Sequence, residues 1–229
     1  MNNSIVFLLA KKDFLITRKI ITTFAIVSLV MIALVYLLQG RVANMVFYNV
    51  GFSLLIIPGA SCGIVLLMQT NVFEKAKSTQ AFIMSLPVTV REFTLAKLLI
   101  NLPIFGAYWI VICAVAFYFA FGQGVFPMGT LPFITMIFLG IFVAYTFILG
   151  VSLLFQSLGI TILSIMFFEM GTSAYLWVLA YMEPINTHIF GPVAVWNSTA
   201  ITIVALQVLA AVFAVSMTYF LQNRKRDFI

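Results

Sequence analysis

NVFEKAKSTQAFIMSLPVTVREFTLAK, residues 71–97, is the stretch on which the reading of this chain turns. It is the longest break in an otherwise apolar sequence. It holds Glu74, Lys75, Lys77, Arg91, Glu92 and Lys97, six of the chain's eighteen formal charges. Val72 to Leu86 contain no Gly or Pro, and Val72, Ala76, Thr79, Ile83 and Leu86 recur at helical spacing, which predicts a helix. Pro87 ends it, because the residue before a proline is pushed away from α geometry. Thr89-Val90-Arg91-Glu92 reads as a capping box, with Thr89 as N-cap and Glu92 at N3. Val88 and Phe93 stand where a hydrophobic staple pairs its residues. A surface helix, a turn and a fresh helix start are therefore predicted. Two meanings fit: a place where a membrane protein meets a soluble partner, or a solvated loop between spans.

Outward from this stretch the chain is membrane material. Of its 229 residues, 64% are hydrophobic and 8% charged, and the mean hydropathy is +1.18. A soluble domain exposes more charge than that, so an all-α integral membrane protein is expected. Apolar runs near bilayer length predict six transmembrane helices, at 20–38, 45–70, 97–121, 131–155, 160–181 and 197–222. The chain divides into an N-terminal interfacial helix (1–19), spans one and two (20–70), a cytoplasmic segment (71–96), spans three to six (97–222) and a basic tail (223–229). Lys11, Lys12, Arg18 and Lys19 fall seven apart in pairs, on one side of the first helix. This suggests an amphipathic helix on the anionic cytoplasmic leaflet, or the basic flank of span one. With both termini inside, eleven of the twelve Lys and Arg are cytoplasmic and Arg41 alone is outside, a positive-inside pattern. Trp177, Tyr181 and Trp196 then mark the outer interface and Tyr219 the inner one. No cleavable signal peptide is expected, since the first apolar run is long enough to span and lacks a cleavage site.

Few residues could carry chemistry. Glu169 is the one ionisable side chain deep inside a predicted span, about ten residues into span five and near the midplane. An intramembrane carboxyl is expensive and by default a functional hypothesis, with a structural hydrogen bond as the alternative. Gly171 follows closely, so span five could also break and re-enter there. Pro58, Gly59 and Gly63 in span two predict a kink and a close helix approach, within the chain or across a dimer. Pro103 predicts a bend in span three. His188 stands alone in an external loop, and Asp13 and Asp227 lie outside the spans, so paired intramembrane aspartates are absent. Cys62 and Cys113 sit in apolar runs as small buried hydrophobes. His-Glu-x-x-His, Gly-x-Ser-x-Gly and the phosphate-binding Gly-x-x-x-x-Gly-Lys-Ser/Thr are all missing. Neither an enzyme site, a cofactor or metal on this chain, nor a nucleic-acid partner is expected.

The Glu/Lys-rich segment, then Ser85-Leu86-Pro87-Val88, Arg91-Glu92-Phe93 and Ala96-Lys97, resembles bacterial permeases of the ABC-2 class of ABC transporters. Met84 stands where many of them carry leucine. Six spans and a basic amphipathic start extend the resemblance over the whole chain. It implies a half-transporter in the bacterial cytoplasmic membrane that pairs with a second permease copy or a related permease. It also implies two separate ATPase subunits that bind ATP and Mg. The coupling helix docking on the ATPase would be Glu74 to Leu86. Its docking residues would be Glu74, Lys75, Lys77, Gln80, Phe82, Ile83, Leu86 and Pro87, with Arg91 and Glu92 beside them. Spans two and five would line the dimer seam and export path, with Pro58, Gly59, Gly63 and Glu169. The substrate class, among peptides, drugs and lipids, leans hydrophobic or amphipathic. A secondary transporter or channel without an ATPase, and a membrane scaffold or immunity protein, are the alternatives.

Overall fold

The computed structural model of the chain describes residues 3–43, 46–76 and 88–224. The described residues are mostly helical and contain no strand. In order they form α1 (Asn3–Leu38), a π-helical turn (Phe47–Gly51), α2 (Phe52–Leu67), a second π-helical turn (Met68–Val72) and α3 (Phe73–Ala76). Then come α4 (Val90–Phe117) with a π-helical end (Tyr118–Gly122), a 3-10 turn (Met128–Thr130) and α5 (Leu131–Phe155). Helices α6 (Leu158–Tyr181), α7 (Glu183–Ile189) and α8 (Ser198–Arg224) complete the chain. Six of the described helical segments are long and apolar enough to cross a membrane: Ile5–Leu38, Asn49–Val72, Val90–Gly122, Met128–Phe155, Leu158–Tyr181 and Ser198–Arg224. This is an all-α fold of multi-pass membrane type, and each predicted span lies within or close to one of these helices.

The helices form two groups that meet through α4 and through contact of α2 with α5. Helix α1 packs on α2 and α4, α5 packs on α8 and α6, and α4 also meets α2, α5 and α8. Between them lies an aromatic core. Phe105 of α4 stacks on Tyr145 of α5 with ring centroids 3.7 Å apart, and on Trp109 at 5.7 Å. Trp109 Nε1 donates to the Phe138 carbonyl at 3.0 Å, which leaves its ring apolar on both faces and its one donor satisfied.

Two features follow from small residues. Gly59 and Gly63 let α2 lie directly on this aromatic layer. A Cβ on Gly63 would stand 2.5 Å from Phe105 and 2.9 Å from Tyr145, and one on Gly59 3.3 Å from Trp109 and Ile112. The close approach read from the sequence is thus made within one chain. Pro58, Gly59 and Gly63, which the resemblance puts on the dimer seam and export path, are buried within the single chain, the two glycines against its own ring stack. Gln156 closes α5 in a left-handed conformation (φ 47°), which lets α6 start only two residues later.

Three other boundaries differ from the sequence reading. The interfacial helix and span one are one uninterrupted helix of 36 residues. At 1.5 Å per residue that is about 54 Å, well beyond a hydrocarbon core of about 30 Å. Its first turns therefore reach past the membrane core without any break at residue 19. Span five does not break at Gly171; α6 runs through it. The loop after span five contains a short helix, α7, that packs against the Met128–Thr130 turn.

Candidate functional site

The root of the polar stretch is buried, and it is built from charges. Span two does not end as a regular α-helix. The π-helical turn Met68–Val72, closed by the Phe73 N–H on the Met68 carbonyl, inserts one residue and carries Thr70 and Asn71 into the interior. One turn on, Glu74 points the same way and is 8% exposed. Facing it from α4 is Lys97, 2% exposed, and from α1 comes Asp13, also 2% exposed.

Lys97 uses its ammonium group completely. It donates to Asp13 Oδ2 at 2.8 Å, to the Thr70 carbonyl at 2.7 Å and to Glu74 Oε2. Three acceptors match the three hydrogens of an ammonium. Lys12 closes the cluster from the half-exposed side, bonding Glu74 Oε1 and pairing with Asp13 Oδ1 at 3.0 Å. Two lysines and two carboxylates leave the cluster formally neutral, the condition under which charges are tolerated in an interior. The amide Asn101, one turn beyond Lys97, extends the network by donating to Thr70 Oγ1 at 3.1 Å and to the Lys97 carbonyl at 2.9 Å. Asn71 reaches across to α5, donating to Ser152 Oγ at 2.9 Å. Helices α1, α3, α4 and α5 and the end of span two are thus tied at one level.

The capping box forms as read. Thr89 Oγ1 accepts from the Glu92 N–H at 3.3 Å, and Glu92 Oε2 accepts from the Thr89 N–H at 3.0 Å. Glu92 is 4% exposed, and Arg91 beside it is exposed. Of the residues the resemblance names for docking, Glu74 and Glu92 turn their carboxylates inward, one onto lysines and the other onto its own helix start. Lys77, Gln80, Phe82, Ile83, Leu86 and Pro87 lie outside the described residues, as does the side chain of Lys75. Lys225 and Arg226 of the basic tail do so too. Of the N-terminal basic residues, Lys11, Arg18 and Lys19 are exposed, while Lys12 turns into the cluster.

A second site lies midway along α6. Glu169 is the twelfth of the 24 residues of α6 and is exposed on the bundle surface. It borders a groove of about 420 Å³ between α2, α5 and α6, walled chiefly by Ile57, Ile64, Ile141, Ile148 and Phe168, with Thr172 and Ser173 on the α6 side. Within α6 only Thr161 and Leu179 are buried. Its outer face carries Phe167, Met170 and Trp177 in the open. Comparison with protein-family models, with curated proteins and with solved structures finds no match for this chain.

Asp13, Lys97, Thr70, Asn71 and Asn101 were not singled out as site residues from the sequence. The signal was present in two places. Lys12-Asp13 is an acid–base pair set between apolar runs, and Lys97 and Asn101 are four apart on one face at the start of an apolar helix. Neither pattern tells which partner it meets, because Asp13 and Lys97 are 84 residues apart.

Proposed function

We propose that this chain is the membrane-spanning permease subunit of an ATP-driven exporter of the ABC-2 class. In this reading the segment after α3 docks on a separate ATPase. The supporting observation is the ion cluster at the root of that segment. A segment that receives force from a soluble partner must be anchored to the helices it moves. Glu74 is bonded to Lys97 of α4 and to Lys12 of α1. Asn71 is bonded to α5. A displacement of residues 77–87 would be handed to all of them at once. The exposed Arg91 stands at the far end of the same segment.

In this reading docking falls to Lys75, Lys77, Gln80, Phe82, Ile83, Leu86, Pro87 and Arg91, and Glu74 is the anchor behind them. Two ATPase subunits carry ATP and Mg. A second permease copy, or a related one, faces the groove between α2 and α6, so the seam runs over Ile57, Ile64 and Glu169 rather than over the buried glycines. Both termini are cytoplasmic, in a bacterial inner membrane. The substrate is hydrophobic or amphipathic.

A proton-coupled transporter without an ATPase is the second reading, favoured by the exposed mid-span carboxyl of Glu169. ATP hydrolysis by the assembled complex separates the two. In reconstituted vesicles, the permease should stimulate hydrolysis by its ATPase, and Gln80→Pro, which costs an interior helix about 3 kcal/mol or more, should remove the stimulation while the chain still inserts. Full stimulation by Gln80→Pro would leave the stretch a mere loop.

A further inference from the structure

Among the described residues nothing supplies Glu169 with a counter-charge. The described cations are Lys11, Lys12, Arg18 and Lys19 in the first half of α1, Arg41 just beyond its far end, Lys75 after span two, Arg91 and Lys97 at the start of α4, and Arg224 at the end of α8. Arg18 and Lys19 come nearest the middle of a helix, at the sixteenth and seventeenth of the 36 residues of α1, and both precede its apolar run at 20–38. A second copy does not change this. Two copies inserted the same way round place identical residues at identical depth, so a partner brings a second Glu169 and no cation. A soluble subunit remains at the membrane surface. A carboxylate facing hydrocarbon at mid-depth is costly, and such groups mark pathways.

The groove beside it has the form of a small-molecule site. Its volume of about 420 Å³ lies in the range typical of such sites, which are largely apolar with a few polar groups. Here the apolar wall comes from α2 and α5, and the polar groups are the carboxyl of Glu169 and the hydroxyls of Thr172 and Ser173 on one side of α6. Thr172 already donates to the Phe168 carbonyl at 2.8 Å, so its oxygen is left to accept. One negative group, hydroxyl acceptors and a large apolar surface complement a molecule with one positive group and an apolar body.

We propose that the groove between α2, α5 and α6 binds a hydrophobic organic cation, with its charge on Glu169 and its body against Ile57, Ile64 and Ile141. This names the substrate class of the exporter and rests on that reading for the word substrate; binding itself does not depend on an ATPase. The test uses two probes of nearly the same shape and opposite charge, tetraphenylphosphonium and tetraphenylborate, on the purified chain in lipid nanodiscs without ATPase or ATP. Saturable binding of the cation, and none of the anion, is expected. Glu169→Gln should weaken cation binding about tenfold or more. Ile57→Trp should obstruct it from a side chain that is 60% exposed and carries little of the fold. Should Glu169→Gln not yield folded protein, Ile57→Trp decides. Equal affinity in both variants, equal binding of the two probes, or no saturable component overturns the proposal. Any of these would leave ATPase docking untouched, and loss of ATPase docking would leave this measurement standing.

Discussion

Lys97 is the residue on which most of the buried polar network depends. Its ammonium neutralises Asp13 and shares Glu74 with Lys12, and it also holds the Thr70 carbonyl that the π-helical turn leaves pointing inward. Removing one partner of a buried ion pair typically costs about 3–5 kcal/mol, because the remaining charge stays buried and uncompensated. Lys97→Met should therefore lower stability by about that amount, read as the unfolding midpoint of the purified protein in detergent, whereas Lys11→Met on the exposed side should change little. An unchanged midpoint for Lys97→Met would mean that the cluster is not formed. Gly63 makes a different demand. A leucine there would have to displace Phe105 or Tyr145 from their stack, and overpacking of this kind costs about 1–3 kcal/mol. Gly63→Leu should thus destabilise the single chain and leave the association state of the surviving folded protein as it was. A stable Gly63→Leu protein with its dimer content reduced would restore the glycines to an intermolecular seam. At this scale the sequence was legible where chemistry is local. Thr89 and Glu92 are three residues apart, and their box could be read directly. Asp13 and Lys97 meet only because α1 and α4 pack together, which no periodicity encodes.

At the scale of elements, hydropathy and length found all six spans, since a bilayer-length apolar run has few other uses. What it could not locate were the ends. The charged first turns of α1 looked like a separate surface helix, yet nothing in Lys12-Asp13 breaks a helix, and the pair is accommodated by turning inward. Gly171 suggested a break in span five, but a glycine within a membrane helix leaves every backbone hydrogen bond intact and α6 continues through it. The resemblance puts Glu74 among the docking residues of a surface helix over 74–86. The π-helical turn at Met68–Val72 shifts the register and brings Glu74 inside. The fresh start of α4 is the element most open to test. Thr89→Ala removes the hydroxyl that accepts from the Glu92 N–H, a loss of about 1 kcal/mol for an N-cap. Amide exchange should quicken in the first turn of α4, around Val90 to Phe93, and remain slow further along at Trp109. Unchanged exchange at Val90 to Phe93 would show that packing of Phe93 alone fixes the helix start.

For the whole molecule, the two sites lie at different depths and suit different tasks. The ion cluster joins the helices at the foot of the polar segment, where a soluble partner would act. The Glu169 groove opens at mid-depth, where cargo would lie. Helix α5 touches both, through Ser152 at the cluster and Ile141 and Ile148 at the groove. The central claim is that the segment after α3, residues 77–87 with Lys75 and Arg91 at its ends, docks on a separate ATPase. The most direct measurement is affinity purification of the tagged chain from its native membrane, with the co-purifying proteins identified by mass spectrometry, for the wild type and for Gln80→Pro. The account predicts an ATPase carrying a Gly-x-x-x-x-Gly-Lys-Ser/Thr loop with the wild type, in comparable amount to the chain, and its loss with Gln80→Pro at unchanged membrane insertion. A wild-type chain that comes through alone, or a Gln80→Pro chain that retains the ATPase in full, would contradict it.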